Sequence, residues 1–86
     1  MARVSIENIK DINPTSGYLA AAVYWDPAGD YEYYGYENSE GQWYVKREDY
    51  TGADEVIIYY CKGDSDFATA WAGVDGLDYA PYDEVF

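Results

Sequence analysis

The sequence contains no histidine and a single cysteine, Cys61. Without histidine, the usual general base and the commonest metal ligand are both missing. One thiol closes no disulfide within the chain, and with no histidine beside it no zinc site can be assembled. A lone thiol also points to a reducing compartment and away from a disulfide-stapled secreted module. Positive charge is scarce: 5 Lys and Arg stand against 17 Asp and Glu, a formal net charge of −12. Bare nucleic acid and anionic membranes are therefore poor ligands, since both are held through Lys and Arg. No apolar run approaches the ~20 residues that span a bilayer, and the longest, Tyr18–Trp25, has the length of a strand. Met1–Ile12 is interrupted by Glu7, Lys10 and Asp11 and does not read as a signal peptide. The expectation is a mature chain that is the whole gene product, made and kept in a cytoplasm.

Catalytic machinery is equally thin. Carboxylates abound, but no nucleophile motif accompanies them, and a chain of this length rarely encloses a substrate cleft as well as a core. Asp64-Ser65-Asp66 opens like an acidic calcium loop, yet Phe67, Ala68 and Ala70 stand where ligands and a turn glycine are needed. Those acids read better as a helix cap. No catalytic, cofactor-binding or metal-binding residue is assigned, no cofactor is expected, and the chain is not read as an enzyme.

What the sequence does contain is tyrosine. Aromatic residues make up 20% of the chain, with 12 Tyr, 3 Trp and 2 Phe. Tyrosine joins a large apolar ring to a hydroxyl that tolerates water, which suits half-buried surfaces and interface cores. It is also simply a good strand former, but that alone explains poorly the crowding of Tyr31, Tyr33, Tyr34 and Tyr36. A single domain over residues 1–86 is expected, and a chain this short buries only ~60–65% of its unfolded surface. With disulfides and metals set aside, association is the remaining source of stability.

The negative charge is uneven. Residues 30–55 hold eight acids against Lys46 and Arg47, a net of −6, whereas residues 1–29 net only −1. Residues 56–86 carry six acids against Lys62. Such a surface favours basic protein partners or imitation of a polyanion, and self-repulsion for solubility is the simpler explanation.

Along the chain, Val4 and Ile6 alternate with Ser5 and Glu7 as a short first strand, although Ile6, Ile9 and Ile12 are also spaced for a helical turn. Asn13–Gly17 is a turn by composition. Tyr18–Trp25 follows as the most apolar segment; Ala20–Ala22 suits helix, but the Val, Tyr and Trp after it favour a buried strand. Glu32–Tyr36 and Gln42–Arg47, joined by the polar loop Glu37–Gly41, form the clearest hairpin. Glu55–Cys61 has few polar residues and is expected to lie centrally in the sheet. The one convincing helix starts at Asp64 or Ser65, carries Phe67 and Trp71 on an apolar stripe and closes at Gly73. Residues 75–86 mix acids with Leu77, Tyr79, Tyr82, Val85 and Phe86, too aromatic for a free tail, so docking is expected. The fold class is α+β and mostly β: a small antiparallel sheet of about four or five strands with one short helix packed on it.

Tyr34-Gly35-Tyr36, Trp43–Arg47, Lys62–Phe67, Ala70-Trp71-Ala72 and Leu77-Asp78-Tyr79 follow one another in a spaced order. In this order the chain resembles a group of short structural or uncharacterised proteins of tailed bacteriophages, over a little more than half its length. The resemblance implies no catalytic residue. It departs after the helix tryptophan, where a basic or Asn-Arg pair is expected and Gly73-Val74-Asp75-Gly76 stands instead.

Two readings follow. The resemblance implies a non-catalytic virion-associated protein, a decoration, joining or tail component, present in the host cytoplasm and then in the particle. Its partner would be a further copy of itself or another phage protein, with no direct contact to nucleic acid or membrane. The alternative is an acidic inhibitor that mimics DNA or blocks a basic groove of a host nucleic-acid-binding protein such as a defence nuclease. Tyr33, Tyr44 and Tyr59 are the expected exposed aromatics of an interacting sheet face. Glu32, Glu37, Glu40, Glu48, Asp49, Asp54 and Glu55 are the acids expected to meet a basic partner.

Overall fold

A computed structural model describes residues 14–52 and 54–86. The strand or helical turn expected within residues 4–12 lies outside them. Four strands, β1 (Leu19–Trp25), β2 (Tyr31–Glu37), β3 (Trp43–Asp49) and β4 (Ile57–Gly63), form one antiparallel sheet in sequential order. A short helix α1 (Phe67–Ala72), a 3₁₀ turn (Val74–Gly76) and a final turn of helix α2 (Tyr82–Val85) follow. The class is α+β and mostly β, with two short helices among the described residues where one was expected.

Turn chemistry sets the meander. Between β2 and β3 the Asn38 carboxamide oxygen accepts from the Glu40 and Gln42 amides, both at 3.0 Å, and Gly41 takes φ +82°. Only glycine adopts that backbone region without steric cost, so the loop closes into a tight return. The two strands then pair without slippage from Tyr31↔Asp49 to Glu37↔Trp43.

Because strand side chains alternate, this register sorts the residues onto two faces. The front carries Tyr24, Tyr31, Tyr33, Gly35, Trp43, Val45, Arg47, Tyr59, Cys61 and Gly63, and α1 lies on it. Tyr33, Trp43, Val45 and Val74 form the buried cluster, with Phe67, Trp71, Leu77 and Tyr79 packed against them. Two glycines make room for this layer. A Cβ at Gly35 would stand 2.6 Å from Phe67 Cζ and 2.8 Å from Trp71 Cζ3, and one at Gly63 would strike Trp43. The Trp43 indole N–H donates to the Ser65 carbonyl at 2.9 Å, fixing the approach to α1. The cap of α1 is Asp66, one to two residues later than expected, because it is the Asp66 carboxylate that accepts from the Thr69 amide (3.1 Å).

From α1 the chain passes round the outer edge of β4 to the back of the sheet. Leu77 and Tyr79 stay on the front, where the Tyr79 hydroxyl donates to the Val74 carbonyl at 2.6 Å. Ala80 then pairs with Tyr60 on the edge of β4 through two backbone bonds of 2.8 and 2.9 Å. Beyond it Tyr82 and Phe86 meet Tyr60 on the back, and Phe86 also meets Tyr44. Residues 77–86 thus clasp the β4 edge from both sides.

Two strands sit elsewhere than their composition suggests. Among the described residues the apolar β1, expected buried, is a terminal strand, with six of its seven residues exposed. β4, expected central, is the other terminal strand, with Ile57 and Ile58 exposed. Apolarity reports that a strand needs cover; strand order decides whether this chain provides it.

Candidate interaction surface

β1 is the least covered part of the sheet. Leu19 is 76% exposed, Val23 56% and Trp25 66%, and the strand contains no charged residue. No other strand pairs with its outer edge among the described residues. Uncharged, apolar edges of this kind are templates for adding a further strand, and monomeric proteins usually blunt them with charge or cover. The β4 edge has such cover in Ala80; β1 has a register shift between Ala20 and Ala22 and nothing more among the described residues.

Beside β1, on the front, Tyr24, Trp71, Ala72, Val74 and Asp75 line an open cleft of about 280 Å³. That is just below the ~300 Å³ lower end of small-molecule pockets. It offers room for one long side chain against two aromatic rings, with a carboxylate at its wall. The Tyr24 ring is itself stacked on Tyr33 at 5.9 Å, so this wall is anchored to the core.

The back face holds a polar cluster. Glu32 and Glu48 are direct cross-strand neighbours, an arrangement of like charges that costs stability unless relieved. Relief comes from hydroxyls and a cation. The Tyr34 hydroxyl donates to Glu32 at 2.5 Å, the Tyr50 hydroxyl donates to Glu48 at 2.6 Å, and Lys46 Nζ lies 3.4 Å from Glu48. The hydrogen bond to Glu32 pushes the Tyr34 phenol up to about 12, and the bond to Glu48 raises that of Tyr50 as well. Lys46 also sits 4.9 Å above the Tyr34 ring.

On the front, Arg47 is enclosed by aromatics, its guanidinium 5.1, 5.0 and 4.6 Å from the rings of Tyr31, Tyr59 and Tyr79. Its Nε is buried with no hydrogen-bond partner among the described residues. Ring faces stabilise the cation in place of a carboxylate. Cys61 lies on the same side, where burial pushes its thiol up.

The three tyrosines expected on one exposed face do not share one. Tyr33 (2% exposed) belongs to the front core and Tyr44 (9%) is buried on the back, ringed by Tyr18, Tyr36, Tyr60 and Phe86. Tyr59 is half-buried against Arg47. Alternation fixed their relative orientation, but both sheet faces are covered over the middle strands, so neither face leaves them outward. Of the seven acids, only Glu32 and Glu48 are cross-strand neighbours. Asp49 faces the opposite side and accepts from the Thr51 amide and hydroxyl at 2.9 and 2.6 Å, which holds its carboxyl below the usual range. Glu37 ends β2, Glu40 sits in the hairpin loop, and Asp54 and Glu55 lie exposed in the loop before β4.

Leu19, Val23 and Trp25 are not singled out by the sequence. Their signal is the uncharged run Leu19–Trp25, whose apolarity fits a core strand as well as an uncovered edge. Among the described residues, no helix is long and apolar enough to cross a membrane. No family model, curated protein or solved structure matches the chain.

Proposed function

We propose that this chain is a non-catalytic bacteriophage protein that works by binding another protein, as a decoration, joining or tail component of the particle. One observation carries the reading: β1 presents Leu19, Val23 and Trp25 to solvent on an uncharged edge, while the opposite edge is clasped by the chain's own C-terminus. Burying three such side chains stabilises a complex by several kcal/mol before ordering costs, at roughly 1.5–3 kcal/mol each. A protein partner exploits that surface fully; a small substrate does not. The spaced pattern from Tyr34 to Tyr79 supplies the phage context, and its aromatic members Trp43, Phe67 and Trp71 are those that join α1 to the sheet. The chain is then made in the host cytoplasm and carried into the particle.

Quantitative mass spectrometry of purified particles tests the assignment. The expected result is the chain in fixed stoichiometry to the structural proteins through repeated gradient purification. Its absence from particles, with ample chain in the infected-cell lysate, would overturn it.

A further inference from the structure

Building on that reading, we propose that β1 receives an extended strand of the partner, in which apolar side chains alternate with Lys or Arg. Strand addition supplies affinity through main-chain hydrogen bonds and specificity through the places that alternate side chains find. Both kinds of place exist here. Residues of an added strand that point to the back would lie beside Val23 and Trp25, exposed apolar side chains that face the back with Tyr34 and Glu32. Residues that point to the front would meet the cleft between β1 and the α1–3₁₀ segment.

The cleft selects a long cationic side chain. Its aromatic members, Tyr24 and Trp71, suit the apolar stem of Lys or Arg and the planar guanidinium of Arg, and Asp75 stands in the wall to meet the charge. The surroundings agree in sign: residues 14–45 carry five acids, Asp26, Asp30, Glu32, Glu37 and Glu40, and no Lys or Arg. The same features disfavour a second copy as occupant. The β1 sequence, LAAAVYW, offers no cation to the cleft, and pairing two copies would set one net charge of −12 against another.

The test uses the full chain, isotopically labelled, with a synthetic peptide that alternates Val with Arg. Expected are amide shifts confined to β1 and the Tyr24–Asp75 cleft, and affinity that falls as salt rises. Replacing Arg by Glu in the peptide should abolish binding. N-methylation of alternate peptide amides should abolish it in one of the two registers. Asp75→Asn, at an exposed position, should weaken binding about tenfold, the effect of losing one charge-assisted hydrogen bond. The proposal is overturned by shifts that map elsewhere, by binding indifferent to both N-methylated peptides, or by protection from exchange, in the free chain, of the β1 amides that point away from β2. Sedimentation showing a dimer that Trp25→Lys dissociates would assign the edge to a second copy instead. Failure here with the chain present in particles refutes strand addition alone; peptide binding with the chain absent from particles refutes the particle assignment alone.

Discussion

Gly35 decides how closely α1 approaches the sheet. It stands in β2 opposite Val45, under the rings of Phe67 and Trp71. Its φ is not in the left-handed region, so an alanine meets no backbone strain there. Two effects of Gly35→Ala therefore compete. Reduced freedom of the unfolded chain favours the variant by ~0.4–1 kcal/mol. Overpacking against the two rings costs ~1–3 kcal/mol. The second wins, and urea denaturation should show a lower midpoint with an unchanged slope. Arg47 is held without a carboxylate partner at its guanidinium among the described residues. Although it is one of only five cations in an acidic chain, three tyrosine rings surround it.

At the scale of elements, α1 is too short to persist alone and depends on its cap and its packing. The Asp66 carboxylate accepts from both the amide and the hydroxyl of Thr69, which holds its pKa below the usual carboxylate range. A depressed folded-state pKa means that the ionised form favours folding. That contribution is present above the ordinary carboxylate pKa and is lost as pH falls through the depressed one. Asp66→Asn preserves a capping acceptor without the ionisation, so it should flatten the acid limb of stability against pH. Asp66→Ala should lower stability at neutral pH as well. Thermal melts of the three proteins across the acid range check both. The hairpin β2–β3 and this helix were legible because their determinants are local: Asn38 and Gly41 in the loop, the acids before Phe67, and Gly73 after Ala72. The positions of β1 and β4 were not legible, because either strand could pair on one side or on two with the same composition.

For the whole molecule, tyrosine makes alkali the vulnerable direction. Burial pushes the Tyr44 phenol up to about 12 and drives that of Tyr79 up as well, while the bond to Glu32 holds Tyr34 at about 12. Each raised pKa means that the neutral phenol favours folding. The contribution is full below the ordinary value of about 10 and disappears as pH rises through the raised values. Ionisation also adds to a net charge already at −12, so self-repulsion grows in the same window. Unfolding followed by circular dichroism should set in above about pH 10, with the last tyrosinate absorbance appearing in the same transition. Added salt should shift that transition upward by screening the repulsion.

Local structure is written in the residues themselves: a polar loop that returns one strand onto the next, an acid-capped helix bearing Phe67 and Trp71, and an alternation that sets Trp43 and Val45 opposite Tyr44 and Lys46. The sign and excess of charge are written there too. Which apolar residues are core and which are surface depends on how the elements pack. Tyr33 and Tyr44 are buried because α1 covers one face and the C-terminal clasp covers part of the other. Leu19, Val23 and Trp25 are exposed because β1 falls at the end of the strand order of the described residues and the clasp closes the far edge. The physical reason is the range of the interactions. Turns and caps are settled by hydrogen bonds a few residues apart, whereas cover is settled by segments that meet across the whole chain.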